Sequence, residues 1–367
     1  MAKKKKKANN NKNLIIVTVI LVVLIIAIIG LVIFNKNKSK GGDTDVTNDD
    51  VNSSEEETYV HDAGISYLTG EPLDEAKVAR RPVAVMIPND SAATHCGISK
   101  AGVIFESPAE GGITRIMAIF DDWDDIDQIG CIRSARPYYV HEANEFNAIL
   151  VHYGYSIHAQ VLIDDQHAID SINGLKSNYF YRANGTAPNN AYTSGTMIQQ
   201  AINTYGFSES YRDGYQGKFK FAADGEKVEL ADGEDVATIK LYYPNRNAKF
   251  VYDKETGLYT HYQWNKVHTD AANGEAITCK NIIFQNINNT TYEETQYLNI
   301  TQVGSGKGKF FTNGKMIDIT WSKASDNDIT HYYDESGEEI VLNPGVTYIC
   351  YIQEPSADKN QYLATAE

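Results

Sequence analysis

Charged side chains set inside apolar segments are where this chain could do chemistry. Glu106 closes one apolar run, Glu110 precedes the pair Gly111-Gly112, Arg115 enters the next run, and Arg133 and Arg136 flank Ser134-Ala135. A guanidinium grips carboxylate or phosphate through two parallel hydrogen bonds. Paired glycines let a backbone or a ligand come close. With His152 and Ser156 following in sequence, these residues predict an anion-recognising cleft: Glu106, Glu110, Gly111, Gly112, Arg115, Arg133, Ser134, Arg136, His152 and Ser156. The competing expectation is an internal Arg–Glu network that fixes strand order and binds nothing. Such buried pairs add little net stability, although deleting one partner costs about 3–5 kcal/mol.

Glu110 and His152 form the only general acid–base pairing this region suggests, which makes an envelope hydrolase the alternative to a binding protein. The familiar nucleophile patterns are missing. No G-x-S-x-G occurs, and the S-x-x-K at Ser356–Lys359 falls in a polar tail. His141, His152, His158 and His167 lie close in sequence without H-E-x-x-H spacing, so no metal is expected. Asp121–Asp127 (DDWDDID) lacks the glycine of a calcium loop and reads as an acidic hairpin turn. Gly304–Lys309 (GSGKGK) fails the phosphate-loop pattern and reads as a mobile or tightly turned loop. No cofactor is expected.

The elements that must position these groups follow from periodicity. Val83–Ile87, Val103–Glu106, Ile113–Phe120, Ile129–Arg133 and Ala148–Val151 are short apolar or alternating runs, hence strands. Pro137–Asn147, Ser156–Asp165 and Ser194–Tyr205 carry helical spacing, with Ser156 as a capping residue and Gly206 as a stop. After residue 236 the helical signal ends. About ten strand-like runs follow, separated by turn signals such as Asn273-Gly274 and Asn313-Gly314. The fold class predicted is α+β: a mixed α/β domain over 62–206, a connector over 207–235, and a mostly antiparallel β domain, a sandwich or open barrel, over 236–355 with a tail at 356–367.

Ahead of these lies a different texture. Leu14–Phe34 is an uncharged apolar run of 21 residues. At about 1.5 Å per residue, a helix of that length spans a hydrocarbon core of roughly 30 Å. Six Lys precede it within residues 1–13 and three follow it by residue 40, which places the short amino terminus inside. The expectation is an uncleaved transmembrane helix over 14–34. Residues 35–61 form an acidic stalk, and everything beyond is extracytoplasmic. The formal net charge is −15, and the nine basic residues ahead of residue 41 leave 24 for the remainder against 48 acids. A body that acidic repels polyanions, so no nucleic acid is expected as partner. Outside the cytoplasm Cys96, Cys131, Cys279 and Cys350 are free to pair, one bridge in each half, or to stay as buried thiols.

Several segments together resemble the YerB-type bacterial lipoproteins. They are Arg81–Asn89 (RPVAVMIPN), Ala109–Arg115 (AEGGITR), Ile129–Tyr139 (IGCIRSARPYY), His152–Ser156 (HYGYS), and in the second half Gly306–Gly308 (GKG), Trp321–Lys323 (WSK) and Asn343–Gly345 (NPG). The resemblance implies a membrane-tethered extracytoplasmic protein of Gram-positive bacteria and supplies no reaction. Unlike many relatives, this chain offers a transmembrane helix in place of a lipid. The combined expectation is a binding or scaffold protein of the cell envelope that recognises a cell-wall fragment or an envelope partner protein.

Overall fold

The computed structural model describes residues 64–183 and 185–367. The segment 14–34 and the stalk lie outside the described residues. Among the described residues no helix is long and apolar enough to cross a membrane.

The centre of the fold is a run of strands buried on both faces. β1 (Val83–Asn89), β2 (Val103–Pro108) and β3 (Thr114–Phe120) are buried at every position, as near-continuous apolar sequence demands of strands covered on both sides. β3 lies antiparallel between β1 and β2. On the far side of β1, β4 (Ile149–His152) and β5 (Ser171–Asn173) add in parallel. The crossover into β4 is helix α1 (Pro137–Glu145), which opens on Pro137 at its first turn. α2 (Gly195–Tyr205) is capped by the Ser194 hydroxyl, which accepts from the Met197 amide, and stops at Gly206 with φ 67°.

The second half supplies β6 (Thr238–Tyr243), β7 (Arg246–Asp253) and β8 (Leu258–Gln263), an antiparallel meander in a six-stranded sheet. Its remaining long strands are β9 (Asn281–Thr291), β10 (Gly304–Thr312), β11 (Lys315–Lys323) and β12 (Thr347–Gln353), and these do not form a separate sheet. β12 pairs in parallel with β9 on one side and with β2 on the other. One twelve-stranded sheet therefore runs through both halves, in the order β11-β10-β9-β12-β2-β3-β1-β4-β5 along its main path. The second half is mostly antiparallel, as expected, but it is not a self-contained sandwich or barrel, because β12 pairs in parallel on both sides. The parallel pairing of β12 is a long-range choice that no hairpin signal records.

Alternation along β1 divides the core. Val83, Val85 and Ile87 face a cluster containing Ile198 and Ile202 of α2 and Ile239 and Phe250 of the six-stranded sheet. Ala84 and Met86 face Tyr138, Tyr139 and Val140 of α1, with Phe310, Ile349 and Tyr351 from the second half. The halves are also joined by polar contacts. The Asp270 carboxylate accepts from the backbone amides of Gly97 (3.0 Å) and Ser99 (2.9 Å) and from the Ser99 hydroxyl (2.9 Å).

Two local expectations are corrected. GSGKGK is the first two-thirds of β10, paired residue by residue with β11. Its glycines allow a close approach: a Cβ on Gly306 would lie 2.6 Å from Trp321 Nε1. The acidic run 121–127 is not a hairpin turn, because the strand after it, Ile129–Gly130, pairs with Ala191–Thr193 and not with β3. Its acids serve residues 66–80. Asp121 accepts from the Ser66 hydroxyl, Asp122 pairs with Lys77 at 2.6 Å, and Asp124 binds Arg80 through two contacts of 2.9 Å. All four cysteines are buried and free.

Candidate functional site

The predicted residues divide between the two faces of the sheet. In the β2–β3 ladder Glu106 stands opposite Ile116 and Ser107 opposite Arg115. Side chains alternate along a strand, so Glu106 and Arg115 point to opposite faces.

Glu106 belongs to an internal network. It is fully buried, accepting at Oε1 from Asn89 (2.9 Å), the Thr114 hydroxyl and Arg246, and at Oε2 from Tyr348 (2.8 Å). Its cation is Arg246 at the start of β7, itself buried and bonded to Gln263 at 2.7 Å. Sequence reasoning missed Arg246, because nothing local joins residues 140 positions apart.

On the other face the structure does gather several predicted residues. Arg136 grips Glu110 in bidentate fashion, Nε to Oε1 at 2.8 Å and NH2 to Oε2 at 2.9 Å. Its guanidinium lies 4.7 Å from the centre of the Tyr297 ring. Burial raises the Glu110 carboxyl, but the Arg136 guanidinium outweighs it and holds the group below the usual range. Gly112 packs on Asn245, whose Nδ2 donates to the Gly111 carbonyl at 2.7 Å.

Arg115 sits beside this pair and has no anion of its own. It is 3% exposed, and its NH1 donates to the Ser134 carbonyl. Its buried Nε has no partner, and it forms no ion pair with any described residue. Desolvation, reinforced by the Arg136 charge, lowers its pKa to about 10. Arg133, half-buried, likewise makes no side-chain hydrogen bond or ion pair among the described residues, and its buried Nε is unmatched. Glu110, Arg115 and Arg136 together hold two cations against one carboxylate.

Ser134 links this group to the ends of the parallel strands. Its hydroxyl donates to the Tyr153 carbonyl at 3.0 Å, and the Ala135 amide donates to the Gly154 carbonyl at 3.0 Å. Gly154, with φ 77°, takes a left-handed conformation that suits glycine. A Cβ there would lie 3.3 Å from Ser134 Oγ and 3.1 Å from Leu175 Cδ1. Two buried side chains hold this turn: His152 Nδ1 donates to the Gly154 carbonyl at 2.7 Å, and Asn173 Oδ1 accepts from the Gly154 amide at 3.0 Å. Burial drives the His152 pKa down to about 4, so the imidazole is neutral at pH 7. Ser156 has a structural duty, accepting from the Ala159 amide at 3.2 Å to start the next helix. Asn173 was not predicted, because nothing in its local sequence marks it. No hydrogen bond joins Glu110 to His152 among the described residues, and Glu110 is locked to Arg136, so the acid–base pairing lacks geometry.

The arrangement defines an α+β protein with an arginine-rich edge beside the carboxyl ends of three parallel strands, where open parallel sheets commonly take ligands. Residues 68–208 match the N-terminal domain and residues 238–349 the C-terminal domain of the family described as "Protein of unknown function (DUF3048)". The chain belongs to that family. It is 29% identical over 293 residues to YerB of Bacillus subtilis (strain 168), a protein provisionally named a lipoprotein, covering 77% of this chain and 84% of the relative. The crystal structure of YerB from Bacillus subtilis superposes with a TM-score of 0.71 at 27% identity, covering 82% of this chain and 99% of that one. The resemblance seen in the sequence is therefore real.

Proposed function

We propose that this protein is an envelope-tethered, extracytoplasmic binding protein whose body captures an anionic cell-wall fragment or the acidic end of an envelope partner. A relative named a lipoprotein supports placement at the membrane surface. In this reading the tether is the uncharged apolar run over residues 14–34, whose length suits a bilayer. Three Lys after that segment against six before it support an outward-facing body.

The observation that carries the binding role is Arg115, a buried guanidinium with an unmatched Nε and no carboxylate partner. A buried cation left uncompensated is costly, and an incoming anion would relieve it. Arg133 adds a second uncommitted charge, Arg136 a third that Glu110 already neutralises, and the Ser134 loop sets their spacing. Titration of acetate and inorganic phosphate into the full chain in detergent micelles, with Arg115→Met and Arg133→Ala alongside, tests it. Anion binding that survives both substitutions in folded protein removes the site. Protease added to intact cells tests the topology: cleavage beyond residue 60 without lysis is the expected result.

A further inference from the structure

His152 and Asn173 are neighbours in the β4–β5 ladder, so their side chains share one face. Each spends one polar atom on Gly154 and leaves the other unmatched. Because the Gly154 carbonyl can only accept, His152 Nδ1 carries the proton and Nε2 presents a lone pair. That Nε2 is buried with no partner among the described residues, and the same holds for the Nδ2 donor of Asn173. His152 is 0% exposed and Asn173 7%. One buried acceptor and one buried donor thus belong to paired residues on one face of the sheet, and native interiors rarely leave such groups unmatched.

Apolar surface adjoins them. Leu175, held by its amide on Asn173 Oδ1 at 3.0 Å, is 66% exposed with its side chain against Gly154. Ile157, at the head of the helix that follows, is 59% exposed. Ser134, which touches Gly154 on the other side, carries the carbonyl that Arg115 binds. From Arg115 through Ser134 and Gly154 to Leu175 the protein offers a cation, a donor–acceptor pair and an aliphatic surface.

We infer that the ligand is a short peptide with a free carboxylate: the N–H of its aliphatic residue donates to His152 Nε2, that residue's own C=O accepts from Asn173 Nδ2, its side chain rests on Leu175, and the carboxylate meets Arg115. This rests on the anion site proposed above and narrows it from any anion to an amide-bearing one. An extended peptide residue presents its own N–H and C=O on one edge without charge, which suits a neutral imidazole beside a carboxamide.

The test uses the full chain in detergent micelles and three probes: acetate, N-acetyl-leucyl-alanine, and the ester analogue in which oxygen replaces the leucine N–H. The dipeptide is expected to bind at least tenfold tighter than acetate. The ester should lose tenfold or more, because His152 Nε2 then faces an oxygen lone pair. Leu175→Ala, an exposed substitution, should weaken the dipeptide severalfold and leave acetate unchanged. Equal binding of ester and amide overturns the inference, leaving the His152–Asn173 pair to hold a solvent molecule only, and the anion site stands. A dipeptide no tighter than acetate overturns it in the same way. Absence of binding by all three probes brings down the anion site and the inference together.

Discussion

Two buried charge clusters on the α1 side of the sheet are built on opposite plans. In the first, Glu142 and Glu145 of α1 meet Lys218 of the connector and Lys323 of β11, all four with side chains no more than 1% exposed. Lys218 reaches Glu142 at 2.5 Å and Glu145 at 2.6 Å, Lys323 binds Glu145, and Tyr351 donates to Glu142 at 3.1 Å. The Thr330 amide and hydroxyl donate to Glu145 at 2.8 and 3.0 Å. Two cations balance two anions and no atom of the four is left unmatched, so the cluster can only fasten three segments together. In the second cluster, Arg115 and Arg136 share Glu110 alone, and donor or acceptor atoms of Arg115, His152 and Asn173 lack partners. Charge balance and hydrogen-bond completeness separate the two clusters better than burial does, since Arg115 and Arg136 are buried as well.

The sharpest way to break this contrast is to remove one member of the balanced set. Glu145→Ala leaves Lys218 and Lys323 short of a carboxylate inside the protein and should destabilise it by about 3–5 kcal/mol, read from the urea midpoint. A loss under about 1 kcal/mol would mean that the four charges are not coupled as described.

Acid should act through the other cluster. Burial lowers the His152 pKa from the ordinary 6.5 to about 4. Above pH 6.5 the imidazole is neutral folded and unfolded, so it contributes no pH dependence. Between 6.5 and 4 only the unfolded chain takes the proton, and stability falls as pH falls. At 1.36 kcal/mol per pKa unit the full loss is about 3 kcal/mol. His95, His261 and His268, also buried and lowered, act in the same direction. Urea melts between pH 7 and pH 4 should therefore slope downward toward acid, and a folded His152→Gln variant should slope less. An unchanged slope would mean that the imidazole is not held neutral.

Arg115→Met gives the smallest stability change and the largest contrast in function. Replacing an unpaired buried cation by an apolar chain of similar length should shift stability by less than about 1 kcal/mol, or raise it. Acetate binding should fall at least tenfold. A destabilisation comparable to that of Glu145→Ala would make Arg115 another fastening. Finally, a thiol reagent should label Cys96, Cys131, Cys279 and Cys350 only as the chain unfolds, because all are buried, with Cys96 and Cys131 pushed up to about 11 by burial.

Much of the fold was legible. The runs at Val83, Val103 and Ile113, the proline opening α1, and the Ser194 and Gly206 caps of α2 are local signals, and local signals survive folding because neighbouring residues alone set them. GSGKGK was misjudged because glycine reports only backbone freedom. Trp321, which makes that freedom necessary, arrives from the next strand. At the site, Arg115, Arg136, Glu110 and His152 were legible as residues out of place in apolar segments. Glu106 looked the same and proved to belong to the opposite face, since one step along a strand reverses a side chain and the strand's register is set elsewhere. Asn173 and Arg246 carried no local mark.

By itself the amino-acid sequence determined where strands and helices begin and stop, the acidic balance of the body, and the placing of Arg115, Arg133 and Arg136 in or beside apolar segments. The tertiary structure alone decided that β12 would sit between β9 and β2, that Arg246 would claim Glu106, and that Arg115 would be left without a carboxylate. Those outcomes turn on which distant strands share hydrogen bonds. Pairing energy of that kind is the same for many partners until the whole core is packed.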